Sequence, residues 1–209
     1  MKIKRPKRQT ILSDMVETKY NTYHHSKPSF DDFKSSIYWN EVQAVFLELG
    51  GKCKTLPIAF KGWDVPTTEF IIELDEEQHF NRYRLSTLKS PFYNNLKTFS
   101  VKDYLRYYEQ YEKYCLRNFS DVGFWKSPKS EEFFEISNKP GDLSGMGSSR
   151  WKYRAFNDFL RDISSKIINV PVIRLSVYDS FEGQIINNLL LHRKESIILK
   201  LIEVKLHLA

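Results

Sequence analysis

Hydrophobic residues recur at helical spacing in three long stretches of the chain. After Ser29, apolar residues at steps of three and four continue to Leu49, where the Gly50-Gly51 pair ends the predicted helix. Ser29 is followed three residues later by an acid, the pattern of a capping box. Tyrosines at the same steps predict a second helix over residues 100–118, and a third follows Ser149.

Runs of β-branched and aromatic residues predict strands between these helices. Residues 52–59, a short segment around Asp64 and residues 69–75 are interpreted as a three-strand antiparallel meander. Pro57 lies within the first of these strands, so that strand is predicted to be bulged or at an edge. Later elements are predicted as a strand over residues 170–178, a helix over 181–191 capped by residues 179–180, and a further helix or strand over 197–208.

Three carboxylates are expected to meet at one end of this meander. Glu73 and Asp75 lie two positions apart on a strand and so point to the same side, and Asp64 lies opposite them if the neighbouring runs form a hairpin. Such carboxylates repel each other unless a cation lies between them, and Mg²⁺ is the first candidate because it binds one or two carboxylates and keeps several waters. The alternative is that residues 73–77 are simply the acidic end of a strand.

Cationic residues near these acids are candidates for binding phosphate. The nearest along the chain are His79, Arg82 and Arg84, and Arg150 and Arg154 lie on the predicted helix after Ser149. The alternative for the first three is structural: His79 is a satisfied internal histidine, and the two arginines pair with nearby acids.

Composition is compatible with a nucleic-acid partner and gives no sign of a membrane or disulfide protein. The 209 residues carry a net charge of +6, and 41% are hydrophobic, which is enough for a core. Cys53 and Cys115 form no metal-binding or disulfide pattern, and they fit a reducing cytoplasm. The basic N-terminus lacks the apolar segment of a signal peptide, and no apolar run approaches membrane-spanning length.

The predicted organisation has four parts. Residues 1–28 are a basic arm, which lies along phosphates or is a solvated tail, and residues 29–95 form the first half of the core. Residues 96–149 are a helical and loop insertion whose Gly- and Pro-rich part, residues 139–147, is expected to line a binding groove. Residues 150–209 complete the core.

The order of helix, meander, helix, strand and helix, with acids at the end of the meander, resembles the PD-(D/E)XK (restriction-endonuclease-like) nuclease superfamily. Asp64 matches the lone acid of that pattern, and Glu73, nine positions later, matches the second acid. Residues 72–79 also resemble the branch near the very-short-patch mismatch-repair endonucleases, through Glu73, Asp75 and His79. Two positions depart from the family pattern: this chain has Asp75 where the family has a lysine, and Glu76 where the family has a loop glycine.

The resemblance implies an α/β (α+β) fold, with a central mixed β-sheet flanked by helices and a helical and loop insertion. It implies a site for Mg²⁺, or Mn²⁺ in its place, made by Asp64, Glu73 and the main-chain carbonyl of Leu74. Asp75 would add a ligand or orient a water. Lys152, with Arg82 behind it, would replace the missing lysine.

The implied function is a Mg²⁺-dependent endodeoxyribonuclease, with a restriction or phage-defence role. Its expected partner is double-stranded DNA, and a homodimer would match the two-fold symmetry of a duplex. Glu41, on the first long helix, would hold a second water or metal. The alternative is a nucleic-acid-binding protein that kept the fold and lost the chemistry, which the missing lysine favours and the persistence of the acids disfavours.

Overall fold

The computed structural model describes residues 7–52, 55–120, 127–136 and 149–208, with side chains omitted over 116–120. The helices within these ranges are α1 (Arg8–Glu17), α2 (Phe30–Ser35), α3 (Trp39–Glu48), α4 (Arg82–Thr87), α5 (Val101–Ser120), α6 (Pro128–Phe134), α7 (Ser149–Ile167), α8 (Ile186–Leu191) and α9 (Glu195–Leu206). The strands are β1 (Val65–Pro66), β2 (Ile71–Asp75), β3 (Val172–Ser176), β4 (Ser180–Phe181) and β5 (Gln184–Ile185). Short 3₁₀ turns cover Glu77–His79 and Pro91–Asn95.

The central sheet is mixed and has the order β1-β2-β3. Strands β1 and β2 are antiparallel, with Val65 opposite Ile72. Strands β2 and β3 are parallel, in register from Ile71 opposite Val172 to Asp75 opposite Ser176. A parallel pair needs a long crossover, and here the crossover contains α4, α5, α6 and α7.

Helices cover both faces of this sheet. Because strand side chains alternate, Ile71 and Val172 face one core, which includes residues of α3, α4, α5 and α7. Ile72 and Ile173 face a second core, which is built with α1, α8 and α9. The predicted mixed sheet flanked by helices is therefore confirmed at this level.

The predicted first strand of the meander is wrong for the residues described there. Residues 55–59 form no strand; Ile58 N donates to Leu56 O at 2.8 Å, and Ala59 N donates to Pro57 O at 2.8 Å. These tight local bonds bend the backbone away from a ladder. Instead, residues 21–23 pair with the outer edge of β1, through a bridge between Thr22 and Thr67.

The described part of the predicted basic arm is a packed helix. Leu12 and Val16 of α1 are completely buried, and they lie in the core that α1 shares with α8 and α9. The apolar residues of α1 are few, Ile11, Leu12, Met15 and Val16, and polar neighbours obscure their helical spacing in the sequence.

Two other helix boundaries differ from the prediction, although the capping box is present. Asp32 N donates to Ser29 Oγ at 3.2 Å at the start of α2, but the single helix expected from there to Leu49 is two helices, α2 and α3. The helix predicted over residues 181–191 is α8, which begins only at Ile186 because β4 and β5 form a hairpin before it. Its two-residue loop has φ of 49° at Glu182 and 75° at Gly183, as a type I′ turn requires.

Gly51 allows close packing directly after α3, and its substitution tests the core. A Cβ at this position would lie 2.4 Å from the ring of Phe46, which is itself buried against Phe134 and Phe156. We expect Gly51→Ala to lower the free energy of unfolding by about 1–3 kcal/mol, because the packed ring has nowhere to move. Gly62→Ala is the matched control, since its Cβ would meet nothing within 4 Å. Equal urea midpoints for the two variants would contradict this packing.

Candidate active site

Asp64 and Glu73 meet where β1 and β2 pair. Asp64 directly precedes β1, and its backbone N–H donates to Glu73 Oε1 at 3.2 Å. Asp64 Oδ2 accepts a hydrogen bond from the backbone N–H of Leu74 at 2.9 Å. The C=O of a strand residue points to the same edge as its N–H, so the Leu74 carbonyl also faces the Asp64 side. The structure thus brings together all three groups assigned to the metal.

These groups lie in a cavity of about 600 Å³ that is acidic at its floor and basic at its mouth. Glu73, only 2% exposed, lies at the floor, whereas Lys27, Lys61 and Lys129 are exposed. Six cationic side chains line the cavity against three carboxylates, which suits an anionic ligand. The lining residues are Gln9, Lys27, Ala59, Phe60, Lys61, Asp64, Glu73, Leu74, Glu76, His79, Lys129, Arg150, Tyr153, Arg154, Asn157 and Arg161.

Burial disfavours the ionised forms of the Asp64 and Glu73 carboxyls. It raises the pKa of Glu73 to about 8, although Arg161, whose Nε lies 3.6 Å from Glu73 Oε2, acts in the opposite direction. Burial also raises the pKa of Asp64, against the hydrogen bond from Leu74. Two adjacent carboxyls with raised pKa values, one buried and one half-buried, favour either a proton or a further cation between them.

One face of α7 supplies the cationic wall. Arg150, Arg154, Asn157 and Arg161 follow each other at steps of four, three and four residues, and all line the cavity. This spacing is present in the sequence, and it identifies Arg161, which is not among the predicted site residues. A helical projection of residues 150–161 would have found it.

Lys152 lies on the opposite face of α7, so its predicted role needs correction. It precedes Arg161 by nine residues, which is two and a half helical turns. Its Nζ lies over the ring of Tyr83 at 5.5 Å and beside Gly50, and burial lowers its pKa. Lys152 is not among the residues that line the cavity, whereas Arg161 is.

Asp75 is held in a buried ion network rather than in the cavity. Arg174 Nη1 lies 2.6 Å from Asp75 Oδ1, and Tyr104 donates its hydroxyl to Asp75 Oδ2. Burial raises the pKa of Asp75, but nearby positive charge, that of Arg174 above all, acts in the opposite direction, and the pKa is lowered. With its oxygens occupied in this way, Asp75 is placed as a structural anion and not as a metal ligand.

Asp162 of α7 extends this network to α4. Arg174 Nε lies 2.6 Å from Asp162 Oδ1, and Arg84 Nη2 lies 2.9 Å from Asp162 Oδ2. Tyr93 donates to the same Oδ2 at 2.6 Å. Arg84 is 2% exposed, so the prediction that it contacts nucleic acid is wrong: its charge is neutralised inside the protein.

His79 connects this network to the cavity. Its Nδ1 lies 2.8 Å from Asp158 Oδ2, and its Nε2 lies 3.3 Å from Arg154 Nη2. A guanidinium can only donate, so Nε2 is the acceptor and Nδ1 carries the proton that is donated to Asp158. Asp158 and His79 therefore orient Arg154, which also donates to Gln78 Oε1.

Two other predicted residues lie outside the cavity. Arg82 is exposed and pairs with Glu112 of α5, Nε to Oε1 at 3.1 Å. Glu41 accepts hydrogen bonds from Ser90 Oγ and from the backbone N–H of Phe92, the latter at 3.1 Å, and so caps the 3₁₀ turn there. The glycine-rich segment of residues 139–147 and Cys53 lie outside the described residues.

The donor set at Asp64 fits a hard cation. No cluster of three or more His, Cys, Asp and Glu side chains suited to a metal occurs in the described ranges. Two carboxylates and one carbonyl are nevertheless sufficient for Mg²⁺, which keeps several waters and uses oxygen ligands. The raised pKa values of both carboxyls agree with this, because a cation would replace the proton that they otherwise favour.

The fold is mixed α/β, and its cavity has cationic side chains around Asp64 and Glu73. The chain belongs to a family of unknown function, DUF7255, whose model matches residues 44–192. That match includes β1, β2, α7 and β3, and with them both acids and the arginine face of α7. Neither the curated proteins nor the solved structures contain a match. Within the described ranges, no helix has the length and apolar character to cross a membrane.

The buried network predicts a large stability effect at Asp162. We expect Asp162→Asn to lower the free energy of unfolding by about 3–5 kcal/mol, because it leaves the buried guanidiniums of Arg84 and Arg174 short of an anion. Asp14→Asn is the matched control, since Asp14 is exposed and pairs with the exposed Arg193. Chemical denaturation of both variants measures the difference, and similar losses would refute the role of Asp162.

Glu73 predicts a specific pH dependence of stability. Its pKa in the folded protein, about 8, exceeds the ordinary value of 4.5, so its burial destabilises the fold increasingly as the pH rises from 4.5 to about 8. Glu73→Gln should therefore melt at a higher temperature than the wild type at about pH 9 and at nearly the same temperature at about pH 5. Glu69→Gln, at an exposed position, should show no such trend. A constant offset across this pH range would contradict the assignment.

Proposed function

We propose that this protein is a Mg²⁺-dependent endodeoxyribonuclease built on a restriction-endonuclease-like core. The observation that carries the proposal is the contact between Asp64 and Glu73 at the floor of a cavity with a cationic mouth. Asp64 and Glu73 would provide a cation site, and the cationic residues nearer the mouth would provide a phosphate site. A protein that only bound phosphate would gain nothing from the buried acids, which repel its ligand.

The arrangement of the sheet supports the same proposal. The two acids lie where the antiparallel strands β1 and β2 pair, Asp64 just before β1 and Glu73 on β2, which is consistent with the resemblance to the PD-(D/E)XK superfamily, and helices flank both sheet faces. The third sheet strand, β3, joins β2 in parallel, and Arg174 on it neutralises Asp75. Asp75, which stands where the family has lysine, is thereby a structural residue, and its presence does not argue against catalysis.

In this proposal the chain holds the phosphate and the cation with separate residues. Asp64, Glu73 and the Leu74 carbonyl would hold Mg²⁺, which when bound acts as a Lewis acid and lowers the pKa of water. Arg161 lies beside Glu73 and would stabilise the charge that develops on the phosphate oxygens. Arg154, oriented by His79, and Arg150 would position the neighbouring backbone. A restriction or phage-defence role remains a prediction.

Substitution of the two acids tests the proposal directly. Asp64→Asn and Glu73→Gln should abolish Mg²⁺-dependent nicking of plasmid and cleavage of oligonucleotides, because each removes a charged cation ligand. DNA binding in EDTA should be unchanged or tighter, since Asp64→Asn removes a negative charge from the cavity and Glu73→Gln resembles the protonated acid that burial favours. Glu69→Gln should retain cleavage, because Glu69 is exposed and lies outside the cavity lining. If both acid variants cleave like the wild type, the proposal fails.

Two cations of α7 provide a sharper comparison within the same assay. Arg161→Met should lower the cleavage rate by about 10²–10³-fold, the usual effect of losing one charge-stabilising donor. Lys152→Met should leave the rate unchanged once its melting temperature shows that it is folded, because Lys152 faces Tyr83 and not the cavity. Wild-type protein that binds DNA but gives no cleavage with Mg²⁺ or Mn²⁺ would favour the alternative, a binding protein without chemistry.

A further inference from the structure

We propose, on the basis of this function, that the cavity takes a single DNA strand separated from its partner. The strand would lie along α7, with its phosphates on Arg150, Arg154 and Arg161 and a base against Tyr153. The substrate would then be single-stranded DNA or a frayed, unpaired or splayed segment of a duplex. This differs from the double-stranded partner expected from the sequence.

The size of the cavity supports a single strand. A volume of about 600 Å³ lies within the range of sites for single small molecules, which runs from about 300 to 1,000 Å³. Spread along the roughly 16 Å of α7 between Arg150 and Arg161, that volume leaves a channel about 6 Å wide, whereas the major groove of B-DNA alone is about 12 Å wide. The cavity is thus narrower than a duplex, and Glu73, 2% exposed at the floor, is more easily reached by a strand that leaves its partner.

The cationic wall has the length of several nucleotides. With a rise of about 1.5 Å per residue, Arg150 and Arg161 are separated by roughly 16 Å along the α7 axis, and Arg154 lies between them. One strand of B-DNA presents a phosphate about every 3.4 Å of axis, so this wall extends past more than one phosphate even of a stretched strand. The guanidiniums thus form a track for one backbone leading to the acids.

Tyr153 provides an aromatic surface on the same wall. It lies between Arg150 and Arg154 in the sequence, its ring is half-buried, and its hydroxyl donates to Ala59 O at 3.1 Å. That bond and the ring of Phe133 behind it, 5.8 Å between centroids, hold the ring in place. A fixed aromatic ring beside guanidiniums is the combination that binds unpaired bases with little sequence preference. A paired base in a duplex has no free face to offer it.

The exposed lysines at the mouth complete the site. Lys27, Lys61 and Lys129 come from three separate segments and surround the entrance, so an approaching polyanion meets positive charge before it reaches Glu73. Such a basic mouth favours entry of a flexible strand and makes binding depend on salt.

Binding without cleavage tests this inference. The full-length wild type and Glu73→Gln are titrated in EDTA with a short fluorescent single-stranded oligonucleotide, with the blunt duplex of the same sequence and with the matching RNA strand. The single DNA strand should bind about tenfold or more tightly than the duplex, which has no unstacked base for Tyr153. Equal or tighter binding of the duplex would overturn the inference, and so would no binding of the single strand or tighter binding of the RNA strand.

Variants of the α7 wall then test the proposed contacts. Tyr153→Ala should weaken binding of the single strand about tenfold, and Tyr153→Phe, which keeps the ring, should bind within about twofold of the wild type. Arg154→Ala should reduce the slope of log affinity against log salt by about 0.7, and Arg106→Ala, an exposed arginine on α5 outside this cavity, should not. Unchanged affinity in Tyr153→Ala would refute the placement of the base.

The two proposals fail in different ways. If the single strand binds as expected but no divalent cation gives cleavage, the nuclease assignment fails and the choice of strand is upheld. If Mg²⁺-dependent cleavage occurs and is faster on the duplex than on the single strand, the nuclease assignment is upheld and the choice of strand is overturned.

Discussion

The buried guanidinium of Arg174 is the constraint on which the rest of this structure depends. It lies on β3, has no exposure of its side chain, and binds Asp75 of β2 on one side and Asp162 of α7 on the other. An unpaired charge in that position would cost several kcal/mol, so the strand pair and α7 are held at one separation and one rotation. That rotation decides which face of α7 looks into the cavity. The network is structural, and by fixing α7 it determines which residues line the cavity.

Glu73 and Asp75 are two acids on one strand face whose pKa values shift in opposite directions. Both point toward α7, two positions apart, and both are buried. Asp75 has Arg174 and His79 within 3.1 Å, and its pKa is lowered. Among the described residues, the cation paired with Glu73 is Arg161 at 3.6 Å, and burial raises the pKa of Glu73 to about 8. Glu73 is therefore the less compensated of the two acids. It lies beside Asp64 in the cavity, where a cation would neutralise its charge.

Sequence pattern predicted the long elements and the meeting of Asp64 with Glu73, because both depend on short-range regularities. Helical spacing predicted α5 and α7, strand alternation placed Glu73 beside Asp75, and a short hairpin returned Glu73 to Asp64. The predicted role of Lys152 is wrong because Lys152 lies half a helical turn away from Arg161 on α7, facing Tyr83 and not the cavity. The buried helix α1 was missed because its apolar stripe is short and the surrounding residues are polar.

By itself, therefore, the sequence determined the elements with strong periodicity and the local pairing of two acids, since these are settled by residues near each other along the chain. Only the tertiary structure decided which charges are free to act. Arg84 and Asp75 look like site residues in the sequence, but their partners, Asp162 and Arg174, lie 78 and 99 positions away. Whether a charge is neutralised inside the protein or faces a ligand depends on such distant partners, and no local pattern records them.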